Sequence, residues 1–113
     1  AATRALLARL GDPMGTVRAA ALRALARVAG ADQEATVIPM LRDPDVAVRV
    51  EAIRYLRQHG GEASMAALAE MQGDGAPARE IAVGDLVEDA RRHIVRRKGL
   101  WQDLLYRWRG RQR

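Results

Sequence analysis

Apolar residues along this chain recur at the spacing of amphipathic helices, in segments separated by Gly, Pro and Asp. After the turn-like stretch Gly11-Asp12-Pro13, apolar positions follow one another every three or four residues: Val17, Ala21, Leu25 and Val28. Such spacing places the side chains on one face of a helix. No stretch of useful length alternates apolar and polar residues with a period of two, so we expect no strands. The pattern predicts an all-α protein.

The predicted helices belong to an internal repeat of the chain. Residues 10–30, aligned without gaps on residues 41–61, give nine identities in 21 positions. Chance in a chain rich in Ala and Arg would give about two or three identities, so the period is a strong signal. A third, weaker copy follows at a spacing of 30. Because one helical pair cannot bury both of its faces, we predict three stacked hairpins, at about residues 3–30, 31–61 and 62–94.

Capping and helix-breaking residues mark where these helices should begin and end. Thr16 and Asp45 are expected to cap the second helices of the first two hairpins, and Asp32 the first helix of hairpin two. Pro39 lies inside that first helix and should bend or shorten it, because proline lacks the N–H that a helix uses. In the third copy, we expect a helix to open at Pro77.

The repeat resembles HEAT repeats, particularly the short bacterial type also found in phycobilin-lyase-like proteins. The likeness covers roughly residues 5–92 and is carried by the motif Asp-Pro-x-x-x-Val-Arg at 12–18 and 43–49. It implies a short right-handed α-solenoid whose second helices line the concave face. It also implies a polar ladder between neighbouring repeats, formed by Asp12, Arg18, Asp43 and Arg49. The third copy departs from the motif, because Gly73-Asp74-Gly75 replaces the Asp-Pro turn.

Length and composition exclude several other classes of protein. The 113 residues suit a single domain, and the absence of Cys excludes disulfides, cysteine zinc sites and thiol catalysis. The longest stretches without a charged residue are seven residues, whereas a membrane-spanning helix needs about 20. Arg4 and Arg9 interrupt the N-terminal apolar stretch, so we expect no signal peptide and a cytoplasmic location. A start at Ala1 leaves open whether the chain is part of a longer protein.

Charge is distributed unevenly along the chain. The formal net charge is +5, but residues 1–90 carry −3 and residues 91–113 carry +8. A basic C-terminal segment predicts an anionic partner for that end. We expect partner or anion binding there by nine residues: Arg91, Arg92, Arg96, Arg97, Lys98, Trp101, Arg107, Trp108 and Arg109.

The C-terminal segment, residues 95–113, combines this charge with an apolar stripe. Helical spacing places five large apolar residues on one side of a helix: Leu100, Trp101, Leu104, Leu105 and Trp108. We therefore expect a basic, aromatic, amphipathic helix. Three roles stay open for it, namely capping the third hairpin, docking on a partner protein, or lying on a membrane surface. A solvated helix end is the alternative for the charged run that precedes it.

A second set of cations matches across the repeat. Arg23 and Arg54 are equivalent, and Arg27 and Arg57 follow them one turn later, so the four could form a stripe on the concave face. Glu51 is placed to neutralise part of this stripe, and simple solvation is the alternative. Catalysis has little support, because the two histidines, His59 and His93, have no Ser or acidic residue at a catalytic spacing.

These observations favour a non-catalytic protein. We expect a protein–protein interaction scaffold or adaptor, as a subunit or a domain of a larger assembly. The alternative is an anion-binding module that attaches to nucleic acid or to an acidic membrane surface through the basic C-terminal segment. Neither interpretation requires a cofactor, a metal ion or a small-molecule substrate.

Overall fold

The computed structural model of the protein describes residues 2–71, 73–74, 77–78 and 81–99. These residues form six α-helices: α1 (Ala2–Arg9), α2 (Gly15–Val28), α3 (Glu34–Val37), α4 (Val46–His59), α5 (Glu62–Ala69) and α6 (Val83–Lys98). Two 3-10 segments, Ala31–Gln33 and Ile38–Arg42, flank α3. A two-stranded ribbon of β1 (Pro77–Ala78) and β2 (Ile81–Ala82) lies between α5 and α6.

The helices pair into three hairpins that stack in chain order. Helix α1 packs on α2, the α3 region packs on α4, and α5 packs on α6. The second helices form a continuous layer, because α4 packs against α2 on one side and α6 on the other. This succession confirms the predicted fold class, a small all-α solenoid.

The core lies between the second helices and the first helices that pack on them. Its largest fully buried side chains are Leu22, Leu25, Ile53, Tyr55, Leu56, Met65, Leu68 and Ile94. Between them, buried alanines on α2, α4 and α6 let neighbouring helix axes approach closely, and Ala52 and Ala90 are completely inaccessible to solvent. Stacking of hairpins therefore buries the apolar face that each hairpin alone would leave exposed.

The predicted cap of α4 is confirmed, whereas that of α2 is wrong. The Oδ1 atom of Asp45 accepts a hydrogen bond of 2.9 Å from the backbone N–H of Ala47. A cap at Thr16 would start α2 at Val17, but the helix begins at Gly15, with Met14 at the N-cap and Thr16 inside the first turn. The carboxylate of Asp12 accepts from the Met14 N–H at 2.8 Å and closes the turn before Thr16 is reached.

Proline shortens the first helix of hairpin two as predicted. Helix α3 ends at Val37, and Pro39 lies in the 3-10 segment that follows, where its missing N–H costs less than in a regular α-helix. The predicted cap at Asp32 is wrong. Asp32 lies within the preceding 3-10 segment and makes no capping hydrogen bond, because α3 begins only at Glu34.

The third hairpin differs from its prediction at the connection between its helices. Helix α6 begins at Val83 rather than at Pro77, and β1 and β2 pair antiparallel, Pro77 with Ala82 and Ala78 with Ile81. The expectation of no strands is therefore wrong for Pro77–Ala78 and Ile81–Ala82. The cause is a longer connection: the second helix starts nine residues after Asp74 but three after Asp43. The ribbon takes up the additional residues.

Candidate functional site

A polar ladder joins the turn of each hairpin to the next. The Arg18 guanidinium binds the Asp43 carboxylate through two hydrogen bonds, from Nε at 2.8 Å and from Nη2 at 2.9 Å. Its Nη1 donates to the carbonyl oxygens of Asp12 and Pro13 in its own turn, at 2.8 and 3.0 Å. One side chain thus connects two successive hairpins.

The contact between Arg18 and Asp43 shifts the pKa values of both side chains. Burial alone would raise the pKa of Asp43, but the hydrogen bonds from Arg18 and from the Asp45 N–H, with the Arg18 charge, lower it below its usual value. The hydrogen bond to Asp43 raises the pKa of Arg18, against the opposing effect of desolvation. The pair is therefore charged across the ordinary pH range.

The next rung repeats the same contacts. Arg49 donates from Nε to Asp74 Oδ2 at 3.0 Å and from Nη1 to the carbonyl oxygens of Asp43 and Pro44, at 2.9 and 3.3 Å. The ladder that the family resemblance implies is confirmed for Arg18, Asp43 and Arg49. In the described residues, the Asp12 carboxylate binds no arginine of a neighbouring hairpin and accepts from the Met14 N–H instead. Sequence reasoning missed Asp74, although it follows Asp43 at the same interval at which Asp43 follows Asp12.

Glu34 provides a second polar connection, from hairpin two to hairpin three. Its Oε2 accepts hydrogen bonds from the Gly61 N–H at 2.6 Å, the Ser64 hydroxyl at 2.5 Å and the Ser64 N–H at 3.3 Å. The carboxylate thus caps the N-terminus of α5. Burial alone would raise the pKa of Glu34, but these hydrogen bonds and the Lys98 charge lower it. No spacing in the sequence indicated this role.

Two aromatic rings of α4 reach back to hairpin one. The Tyr55 hydroxyl donates to the Gly30 carbonyl at 2.5 Å, and burial raises the pKa of this buried phenol. The His59 Nε2 lies 2.9 Å from the Ala26 carbonyl oxygen, and its ring packs 5.0 Å from that of Tyr55. His59 therefore belongs to the interface between hairpins.

The four arginines of the predicted concave stripe line one groove. The groove has a volume of about 410 Å³ and lies along α2, α4 and α6. Its charged and polar lining comprises Arg23, Arg27, Glu51, Arg54, Tyr55, Arg57, Gln58 and Asp89. Matching positions of successive hairpins thus face a common space, as the repeat predicts.

Two carboxylates neutralise the groove in part. Glu51, which is 7% exposed, accepts from Arg23 at 3.4 Å and from Arg54 at 3.2 Å, and Arg57 binds Asp89 at 2.8 Å. Arg27 is exposed and makes no hydrogen bond or ion pair within the described part of the chain. Four cations against two anions leave the groove positively charged.

The predicted C-terminal binding residues differ in their accessibility. Arg91 is only 4% exposed, so it lies inside the protein, whereas Arg92, Arg96 and Lys98 are exposed on α6. Arg97 is exposed as well, and its Nη2 atom donates to the carbonyl oxygens of Arg57 and Gly60, at 3.1 and 2.8 Å. The other candidates lie outside the described residues: Trp101, Arg107, Trp108 and Arg109.

The described residues offer neither a metal site nor a membrane-spanning helix. They contain no group of three or more His, Cys, Asp or Glu side chains that could hold a metal ion. None of the helices described is long and apolar enough to cross a membrane.

Three stacked hairpins with an Arg–Asp ladder define an α-solenoid repeat protein. The sequence model for HEAT repeats matches residues 3–87 of this chain, which therefore belongs to the HEAT-repeat family. Comparison with curated proteins and with solved structures gives no match. The likeness to the phycobilin-lyase type stays a prediction. HEAT repeats commonly mediate protein–protein interactions, and the family is typically non-enzymatic.

Proposed function

We propose that this protein is a non-catalytic scaffold or adaptor that binds an acidic segment of a partner protein in the groove of α2, α4 and α6. The observation that carries this proposal is the excess of arginine in the groove, with Arg27 exposed and without an ion pair among the described residues. In this proposal the protein acts as a subunit or a domain of a larger assembly. The cytoplasmic location and the absence of a cofactor stay predictions.

Guanidinium groups in a groove suit carboxylate recognition for a physical reason. Each planar guanidinium can donate two parallel hydrogen bonds to one carboxylate, and such charge-assisted bonds are stronger than neutral ones. Glu51 already holds Arg23 and Arg54 in place, which reduces the entropy lost when a partner binds. Arg27 is then available for the partner's carboxylate.

Charge reversal in the groove tests the proposal. The intact protein and its Arg27→Glu variant are cross-linked to co-purifying proteins, and cross-linked sites are mapped by mass spectrometry. We expect one partner to cross-link through an acidic segment to groove residues, and its recovery to fall about tenfold with Arg27→Glu. Arg4→Glu, which reverses an exposed charge on α1, is the matched control. Equal recovery with both variants would contradict binding in the groove.

The exposed cations of α6 favour a second candidate function, an anion-binding module. Arg92, Arg96 and Lys98 are exposed near the end of α6, within the segment 91–113 that carries +8. Nucleic acid and acidic membrane surfaces would both be attracted to such a segment, and nucleic-acid binding would weaken steeply with salt.

Truncation separates the two functions. A chain ending at Gly99 keeps Val95, which is fully buried, and Arg97, which binds two carbonyl groups of hairpin two. Full-length and truncated chains are compared on heparin, RNA and anionic vesicles over a range of salt concentrations. Truncation removes four arginines and one aspartate, a net +3, and leaves Arg92, Arg96 and Lys98 in place. Salt-sensitive retention that weakens on truncation, and is lost when these three residues are also changed to Gln, would favour the anion-binding module. Unchanged partner recovery by the truncated chain would favour the groove.

A further inference from the structure

Hairpin one has no neighbour in the described structure on the side that precedes it. That side is equivalent in position to the side of hairpin two that packs on hairpin one, and it keeps the aspartate of the turn. In hairpin two, three side chains of α4 form hydrogen bonds with hairpin one, namely Glu51 with Arg23, Tyr55 with Gly30, and His59 with Ala26. Their counterparts one repeat earlier, on α2, are Ala20, Ala24 and Val28. Val28 is 53% exposed. We call Asp12, Ala20, Ala24 and Val28 the N-terminal face.

Asp12 on this face has the local geometry of Asp43 but lacks its partner. The Oδ1 atom of each aspartate accepts from the backbone N–H two residues later, at 2.8 Å for Asp12 and 2.9 Å for Asp43. Asp43 also receives the Arg18 guanidinium. The Asp12 carboxylate forms an ion pair with the exposed Arg9 of its own hairpin at 3.9 Å, which is too far for a hydrogen bond.

We propose that the N-terminal face docks a helical hairpin of a partner chain, whose second helix carries an arginine that binds Asp12 as Arg18 binds Asp43. Two observations support this occupant. The face continues an interface that the protein already forms twice, and Asp12 presents a carboxylate already oriented for a guanidinium. Small residues at 20 and 24 leave room for a helix to approach. This surface is separate from the groove, so the proposal goes beyond the proposed function.

A hairpin attached to the full chain can serve as the probe. A copy of residues 31–62 joined directly to Ala1 places its own arginine, the copy of Arg49, as far before Asp12 as Arg18 lies before Asp43. That separation is 25 residues, and it recurs between Arg49 and Asp74. The probe hairpin can therefore reach the N-terminal face with the register that the ladder uses.

Unfolding in urea then measures whether Asp12 holds the probe. We expect Asp12→Asn to raise the unfolding equilibrium constant about tenfold in the extended chain and less than about twofold in the natural chain. The amide oxygen of Asn still accepts from the Met14 N–H, so the variant tests the charge rather than the turn. Asp43→Asn should destabilise both chains and serves as the positive control. Equal effects of Asp12→Asn in both chains would overturn the proposal.

Thiol labelling gives a second measurement that does not depend on stability. The natural chain has no Cys, so a single Val28→Cys substitution reports on the face alone. We expect the probe hairpin to slow labelling at position 28 about tenfold and to leave Glu88→Cys, an exposed site on α6, unchanged. Unchanged labelling at position 28 would overturn the proposal. A dimer of the natural chain that Asp12→Asn dissociates would also overturn it, in favour of a second copy as occupant.

Discussion

Single residues at the junctions between helices decide how closely the hairpins of this solenoid can stack. Gly60 ends α4 with an extended backbone, and a Cβ atom there would lie 2.6 Å from both the Leu56 carbonyl oxygen and the Ser64 hydroxyl. Glycine is therefore required by close approach and not by a left-handed conformation. At Gly73, no atom of the residues that the structure describes lies within 4 Å of the position that a Cβ atom would take.

These two glycines give a matched prediction. We expect Gly60→Ala to destabilise the protein by roughly 1–3 kcal/mol, because the added methyl group must displace backbone or the buried Ser64. Gly73→Ala should be neutral or slightly stabilising, since it reduces the entropy of the unfolded chain without a clash. Urea denaturation of both variants checks the pair. Similar stability of the two variants would show that the contact at Gly60 relaxes at no cost.

Glu34 and Asp43 make the stability of the protein depend on pH in the acidic range. Both carboxyl groups have pKa values lowered by folding, so the folded state binds fewer protons than the unfolded state. Their stabilising contribution is fully present above the unfolded pKa values and is lost as the pH falls through the folded ones. We expect the thermal midpoint to decline once the pH drops below the ordinary pKa of glutamate, 4.5.

A variant isolates the Glu34 contribution. Glu34→Gln should lower the thermal midpoint at pH 7, because α5 loses a charged cap, and should make the decline in acid shallower. Glu88→Gln replaces an exposed carboxylate on α6 and is the control. If Glu34→Gln kept the acid dependence of the natural chain, the cap at α5 would not be the source of that dependence.

At the scale of elements, the sequence predicts a structure well where one residue alone decides it. Asp45 caps α4 and Pro39 ends α3 as expected, because a side-chain acceptor or a missing N–H acts locally. The start of α2 was mispredicted because Asp12 and Thr16 compete to end the same turn. The start of α6 was mispredicted because the connection after Asp74 has no counterpart in the other hairpins.

The two predicted caps differ in a measurable way. Asp45→Ala should cost about 1 kcal/mol, because it removes the acceptor of the Ala47 N–H at the start of α4. Thr16→Ala should change the free energy of unfolding by less than about 0.5 kcal/mol, since Thr16 is exposed and does not cap α2. Asp45→Asn keeps a capping oxygen and separates the hydrogen bond from the charge. A larger cost for Thr16→Ala than for Asp45→Ala would contradict the structure at both helix starts.

For the molecule as a whole, the repeat predicts which residues share a surface but not which of them are buried. Arg23 and Arg54 occupy equivalent positions of the repeat and line one groove, because equivalent positions of stacked hairpins face the same way. Charge density suggested that Arg91 is on the surface, and the structure buries it. Burial on α6 depends on how the third hairpin packs against α4, which is a tertiary effect.

Stacking in one direction also makes stability uneven along the chain. Helix α4 packs between α2 and α6 and buries half of its residues, whereas α1 has no buried residue. We expect the backbone amides of α4 to exchange with solvent only on global unfolding, and those of α1 through local opening at a much smaller free energy. Hydrogen exchange at increasing urea concentration distinguishes the two routes.

Two substitutions test this difference in stability between α4 and α1. Ile53→Ala removes a buried side chain of α4 and should lower the free energy of unfolding by roughly 2–5 kcal/mol. The free energy of exchange of the α4 amides should fall by the same amount. Leu7→Ala weakens only the packing of α1 on α2 and should accelerate the exchange of α1 while leaving α4 nearly unchanged. Were α1 to exchange at the same rate as α4 in the natural chain, the solenoid would unfold as one cooperative unit. Its N-terminal hairpin would then need no further support, which would also remove a reason for docking another hairpin there.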